Sequence, residues 1–142
     1  MGTIYFSVRE ANREIKRIRK DVARIQQLCE ELDLIDNTKI EFDEESVNNL
    51  MLEVELNKSF HEKNLELYTL LGKLISEGCI VRDIEKLEID FYSRFESRDI
   101  MLCWNPAEEK VQYWHEVFDS RDNKKPIALI EKQYFKQLNE LK

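Results

Sequence analysis

The sequence predicts an α+β protein: a long antiparallel two-helix hairpin packed on a small antiparallel β-unit, followed by a C-terminal helix. Three observations carry this reading. Apolar residues recur at alternating spacings of three and four from Val8 to Leu32. No glycine or proline lies between Thr3 and Leu71, so nothing there forces a sharp turn. After Gly78 the apolar period drops to two, the repeat of a strand with one buried face.

The first helix is expected over residues 7–33. Ser7 followed by Glu10 has capping-box spacing. Val8, Ala11, Ile15, Ile18, Val22, Ile25, Cys29 and Leu32 then form a heptad seam, which implies coiled-coil packing along one partner. Residues 34–42 read as a connection, with Asp36-Asn37-Thr38 as its turn chemistry. The second helix is expected over about 44–77, ended by Gly78. It carries two apolar rows. One passes through Leu50, Val54, Tyr68, Leu71 and Ile75, with Asn57, His61 and Asn64 as a polar row that would fix register between helices. The other passes through Leu52, Leu56, Phe60, Leu67, Leu70 and Leu74. Apolar residues on two faces imply packing on two sides. The second helix should therefore meet the first helix and also either the C-terminal unit or another copy of the chain.

Residues 78–118 read as a β-rich segment. Leu87, Ile89, Phe91 and Phe95 alternate with charged and polar neighbours, Glu96-Ser97-Arg98-Asp99 turns the chain, and residues 100–104 return. Pro106 breaks that strand, and residues 111–117 suggest a third. Pro126 fits the first turn of a last helix over 126–142. The 142 residues are expected to form a single domain.

Composition narrows the function classes. Three glycines rule out a Gly-rich phosphate loop. Three cysteines, none in CxxC spacing, argue for reduced apolar side chains over a disulfide framework or zinc ribbon. No apolar run has the length of a signal peptide or membrane span, so the cytoplasm is the expected location. The net charge of −7 disfavours nucleic acid as a partner. The charge is uneven, however: seven basic and three acidic residues between Arg9 and Arg24, twelve acidic and three basic between Glu30 and Glu66. Nucleic-acid binding through Arg9, Arg13, Lys16, Arg17, Arg19, Lys20 and Arg24 therefore stays open beside a solvated face paired with acids such as Glu62 and Glu66.

The β-rich segment carries a recognisable string. It comprises Gly78, Val81-Arg82-Asp83, Asp90-Phe91, Leu102-Cys103-Trp104, Glu108, Tyr113-Trp114-His115 and Lys124-Lys125-Pro126-Ile127. This resembles a prokaryotic family of uncharacterised proteins, domain of unknown function 2203, over about the first 127 residues. The resemblance implies a helix pair followed by the motif segment and no particular activity. The family tends to carry glycine where Leu87 and Ala107 stand here.

Within the string, Asp90, Trp104, Glu108, Trp114 and His115 are the candidate ligand-binding residues. Carboxylates and an imidazole suit a divalent metal or acid–base chemistry, and two tryptophans suit a planar ligand. Against this, no HExxH or paired-histidine spacing occurs, and the chain has two histidines in all. The alternative is that the tryptophans pack the strands onto the second helix while Asp90, Glu108 and His115 tie turns together. No catalytic residue, metal ligand or cofactor is expected. The leading functional expectation is a non-enzymatic interaction module that dimerises through its helical hairpin, with an unidentified protein partner as a further option.

Overall fold

A computed structural model of the chain describes residues 3–45, 50–128 and 130. Helix α1 spans Val8–Glu45 and helix α2 spans Leu50–Ser76. Five strands follow, β1 (Cys79–Asp83), β2 (Glu88–Phe95), β3 (Arg98–Trp104), β4 (Tyr113–Glu116) and β5 (Lys125–Pro126), with a 3-10 turn at Arg121–Asn123. The fold is α+β, and the sheet is an antiparallel meander in the order β1-β2-β3-β4-β5. Two compact units result. One combines the chain up to Arg19 with the chain from Leu74 onward, and the other is Lys20–Lys73.

In the Lys20–Lys73 unit the helices run antiparallel. Asp21 meets Lys73 (2.9 Å), Arg24 meets Glu66 (2.6 Å) and Glu31 meets Lys63 (2.8 Å), so contacts climb one helix as they descend the other. On α1, Val22, Ile25, Leu28, Leu32 and Ile35 are buried. Leu28 replaces the expected Cys29, because 3.6 residues per turn drifts away from a strict 3.5 repeat. The expected connection at 34–42 is helical instead. Burial of Ile35 extends the seam, and Thr38 Oγ1 donates to the Leu34 carbonyl (2.8 Å) inside the helix in place of a turn. On α2, Leu67 and Leu71 are buried and Leu52, Leu56, Phe60 and Leu70 half-buried, while Leu50, Val54, His61 and Tyr68 are exposed. The inward row is thus the richer apolar one, because burying it removes more apolar surface from water. In the polar row His61 is exposed while Asn57 and Asn64 are half-buried.

In the other unit, the capping box forms as expected: Glu10 N–H donates to Ser7 Oγ (3.1 Å) and Ser7 N–H to Glu10 Oε1 (3.3 Å). Ala11, Ile15 and Ile18 are fully buried, as are Ile89, Phe91, Ile100 and Leu102. Phe6 stacks edge-on against Phe91 (5.1 Å between centroids), and its N–H donates to the Tyr92 carbonyl (2.7 Å), beyond the end of β1's pairing. Gly78 follows α2 with φ +99, and a Cβ there would lie 2.9 Å from Phe6 Cε2. Backbone handedness and the close approach of Phe6 therefore both require glycine.

Two further positions show how the chain turns. Leu87 has φ +51 and is fully buried. This is the place where the resembling family favours glycine, and here the burial of a leucine offsets the left-handed backbone. Ala107 has no such conformation, and its N–H bonds Asn105 Oδ1 (2.9 Å) in an Asx turn. Pro126 pairs with Tyr113 in the outer strand, where a missing N–H costs no ladder bond, and residues 128 and 130 just after it are helical. The expected C-terminal helix over 126–142 lies, beyond residue 130, outside the described residues.

The β2–β3 hairpin turns through two residues, Glu96 (φ +52) and Ser97 (φ +63), a type I′ arrangement. Asn-Gly meets that geometry with less strain. The double substitution Glu96→Asn with Ser97→Gly is expected to raise stability by about 1 kcal/mol, read as a higher urea midpoint at unchanged slope.

Candidate functional site

Strand pleating sorts the candidate residues onto two faces. Register pairs Asp90 with Cys103, Phe91 with Leu102 and Ile89 with Trp104 across β2 and β3. It pairs Met101 with His115 and Leu102 with Trp114 across β3 and β4. Alternation then puts Trp104 and Trp114 on one face, with Ile89, Phe91 and Leu102, and puts Asp90, Cys103, Met101 and His115 on the other. The four expected site residues on strands are thus divided between the two faces, and Glu108 lies in the β3–β4 connection.

Trp104 is buried and donates Nε1–H to the Glu108 carbonyl (2.8 Å). Arg19 of α1 lies over its ring (5.6 Å) and bonds the carbonyls of Glu108 (3.1 Å) and Glu109 (2.7 Å). Asn12 Oδ1 accepts from Val111 N–H (2.8 Å), so α1 holds both ends of this irregular connection. Trp114 packs edge-on to Phe95 (5.6 Å) under the cations of Arg98 and Lys125. Its buried Nε1 has no hydrogen-bond partner among the described residues. The neighbours of both tryptophans mark them as packing residues, with α1 supplying the cation over Trp104.

The polar face is different. Asp90 is completely buried at the centre of the sheet. Its Oδ1 accepts from Arg121 Nη1 (2.9 Å), and its Oδ2 accepts from Arg82 Nε (3.0 Å) and faces His115 Nε2 (3.2 Å). Arg82 lies at the irregularity between Val81 and Asp83 in β1. Arg121 is carried in by the 3-10 turn and also meets Glu88 (3.6 Å). His115 is buried, and its Nδ1 lies 2.7 Å from the Glu116 carbonyl. Cys103 completes the group: the ligand atoms of Asp90, Cys103 and His115 all lie within 4.8 Å of one another. Burial, followed by the nearby Asp90 charge, pushes the Cys103 thiol up to about 12, so it is protonated at neutral pH. Both nitrogens of His115 face protein oxygens, Nδ1 the Glu116 carbonyl and Nε2 the Asp90 carboxylate. The arrangement gathers charge in a site removed from water.

Glu108 stands apart from this cluster. Its Oε1 accepts from Asn105 Nδ2 (2.8 Å), and its buried Oε2 has no partner among the described residues. Burial raises its carboxyl above the usual range, against weaker pulls from the Asn105 hydrogen bond and from Lys124 and Arg121. Asp83 is a turn residue, accepting from Lys86 N–H (3.0 Å). Of the basic residues in α1, Arg17 pairs with Glu14 (3.3 Å), Arg19 with backbone carbonyls and Arg24 with Glu66. Cys103, Arg82 and Arg121 were not anticipated as partners of Asp90 and His115.

Fold and site together define an α+β protein with a helical hairpin, a five-stranded meander and a charged cluster buried on one sheet face. The chain belongs to the family described as "Uncharacterized conserved protein (DUF2203)", which it matches over residues 4–127. No curated protein and no solved structure matches it.

Two consequences are measurable. Asp90→Asn leaves Arg82 and Arg121 without their buried counter-charge and is expected to cost on the order of 3 kcal/mol in urea unfolding. For Glu108, a folded-state value above the unfolded one means that the stabilising contribution is present at acid pH. It is lost as pH rises through the raised value. Glu108→Gln should therefore gain stability relative to the parent at pH 7 and lose that advantage near pH 4, in paired denaturation curves.

Proposed function

We propose that the protein is a non-enzymatic interaction module that self-associates through the outward stripe of α2. One observation carries this reading. Residues 51, 54, 58, 61, 65, 68 and 72 recur at spacings of three and four, and all are exposed. Four are large and apolar: Met51 (71% exposed), Val54 (52%), Leu65 (69%) and Tyr68 (68%). Monomeric proteins rarely leave several large apolar side chains aligned on one exposed helix face. A period of 3.5 is the pattern that seats one helix along another.

The stripe also suits a second copy of itself. Across an antiparallel two-fold, Val54 falls opposite Gly72, Lys58 opposite Tyr68 and His61 opposite Leu65. Bulky thus meets small and cation meets ring. Space beyond Gly72 is open, since nothing lies within 4 Å of where its Cβ would be, so a partner helix can approach closely there. Two hairpins joined in this way make a four-helix bundle.

Native mass spectrometry of the full chain is expected to give twice the chain mass. Leu65→Glu combined with Tyr68→Glu should convert it to one chain mass while far-ultraviolet circular dichroism stays unchanged. A parent protein that remains a single chain at the highest soluble concentration would overturn the proposal.

A further inference from the structure

We propose that Asp90, Cys103 and His115 form a binding site for one divalent transition-metal ion of the zinc type. The carrying observation is a contact between two acceptors. Nδ1 of His115 lies 2.7 Å from the Glu116 carbonyl oxygen, which can only accept, so Nδ1 holds a ring proton. In the neutral ring Nε2 then presents its lone pair to Asp90 Oδ2, 3.2 Å away. Two acceptors at this distance need a positive species between them, either a proton or a metal ion.

The third member of the group favours the metal. Cys103 stands directly opposite Asp90 across β2 and β3, and its Sγ lies within 4.8 Å of both other ligand atoms. The Cys103 thiol hydrogen-bonds the Asp90 carboxylate when no ion is bound, and nitrogen, sulfur and carboxylate oxygen together are the donor set that zinc prefers. Ligand atoms around a tetrahedral zinc ion stand roughly 3.3–3.8 Å apart, given metal–ligand distances of about 2.0–2.3 Å. Side-chain rotations on three paired strands, closing the group by about 1 Å, reach that geometry.

The surroundings also fit. The Glu116 carbonyl orients the imidazole through Nδ1, the usual outer support of a metal-bound histidine. Arg121 occupies Oδ1 of Asp90 and leaves Oδ2 to the ion. A bound thiolate with the Asp90 carboxylate neutralises a divalent charge, which limits repulsion from Arg121. Arg82 is the group that must yield. It bonds Oδ2 at 3.0 Å, and its side chain is 44% exposed, so it can swing into solvent. A water completes the tetrahedron.

The test uses the full chain, stripped with chelator under reducing conditions and titrated with Co2+, then with Zn2+. One Co2+ per chain is expected, with tetrahedral visible bands and a thiolate-to-cobalt charge-transfer band that Zn2+ abolishes. Cys103→Ser should lose the charge-transfer band, while Cys29→Ser keeps it. Arg82→Ala removes the competing cation at a surface position and should bind Co2+ at least as tightly as the parent. A parent without the charge-transfer band, its survival in Cys103→Ser, or weakened binding in Arg82→Ala overturns the proposal.

Discussion

The β-sheet unit depends on one buried carboxylate. Asp90 occupies the centre of the meander, fully removed from water, where an isolated charge would be very costly. The cost is offset by partners brought from three other parts of the chain: Arg82 on β1 and Arg121 on the 3-10 turn, which donate, and His115 on β4, whose Nε2 faces Oδ2. Each such contact also positions the segment that supplies it. The 3-10 turn buries none of its own residues, so its place over the sheet rests on the Arg121 contacts to Asp90, Glu88 and the Trp104 carbonyl. A buried ion cluster of this kind contributes little net stability compared with apolar packing. What it supplies is register, since a one-residue slip of β2 would carry Asp90 into the apolar face and remove all three partners from reach.

The opposite face shows the complementary logic. Phe91, Leu102, Trp104 and Trp114 lie there by the same alternation, and their polar atoms are handled locally. Trp104 uses its indole N–H to bind the Glu108 carbonyl, and Arg19 caps that connection while covering the Trp104 ring. A loop with no ladder of its own thus satisfies its backbone groups through side chains of α1. The motif string of the family consequently serves two purposes. Its tryptophans and Glu108 carbonyl close the apolar face, while its Asp, Cys and His meet on the polar one.

Much of this architecture was legible in the sequence, and the limits have physical causes. The capping box and the strand alternation are local signals, and local signals survive folding. The end of α1 was misread because Asp36-Asn37-Thr38 has turn chemistry, yet Ile35 buries and Thr38 bonds backward along the helix. For α2, periodicity located two apolar rows but could not say which would bury. Asp90 and His115 were recognisable as candidates. The pleat sets them on the face opposite Trp104 and Trp114, a separation that proximity in sequence does not reveal. One partner was within reach: a two-residue turn at Glu96–Ser97 already sets Cys103 opposite Asp90. His115 and Arg121 were not, since irregular segments of unpredictable geometry separate them from β2.

The two helices also differ in what their periodicity means. In α1 the buried positions drift from a strict heptad, moving from Ile25 to Leu28 and on to Leu32 and Ile35, as an ordinary helix does when it packs over a short stretch. The exposed stripe of α2 keeps the heptad spacing from Met51 to Gly72 without such drift. Burial by α1 cannot explain that regularity, because α1 contacts the other row. A repeat of 3.5 on a surface with no helix against it among the described residues is the pattern that the proposed self-association would use. Glycine on the same line supports this, since within a lone exposed helix it only costs stability, whereas at a helix crossing it lets two backbones approach. The two helices thus use periodicity differently, α1 to pack within its unit and α2 to keep one exposed line in register.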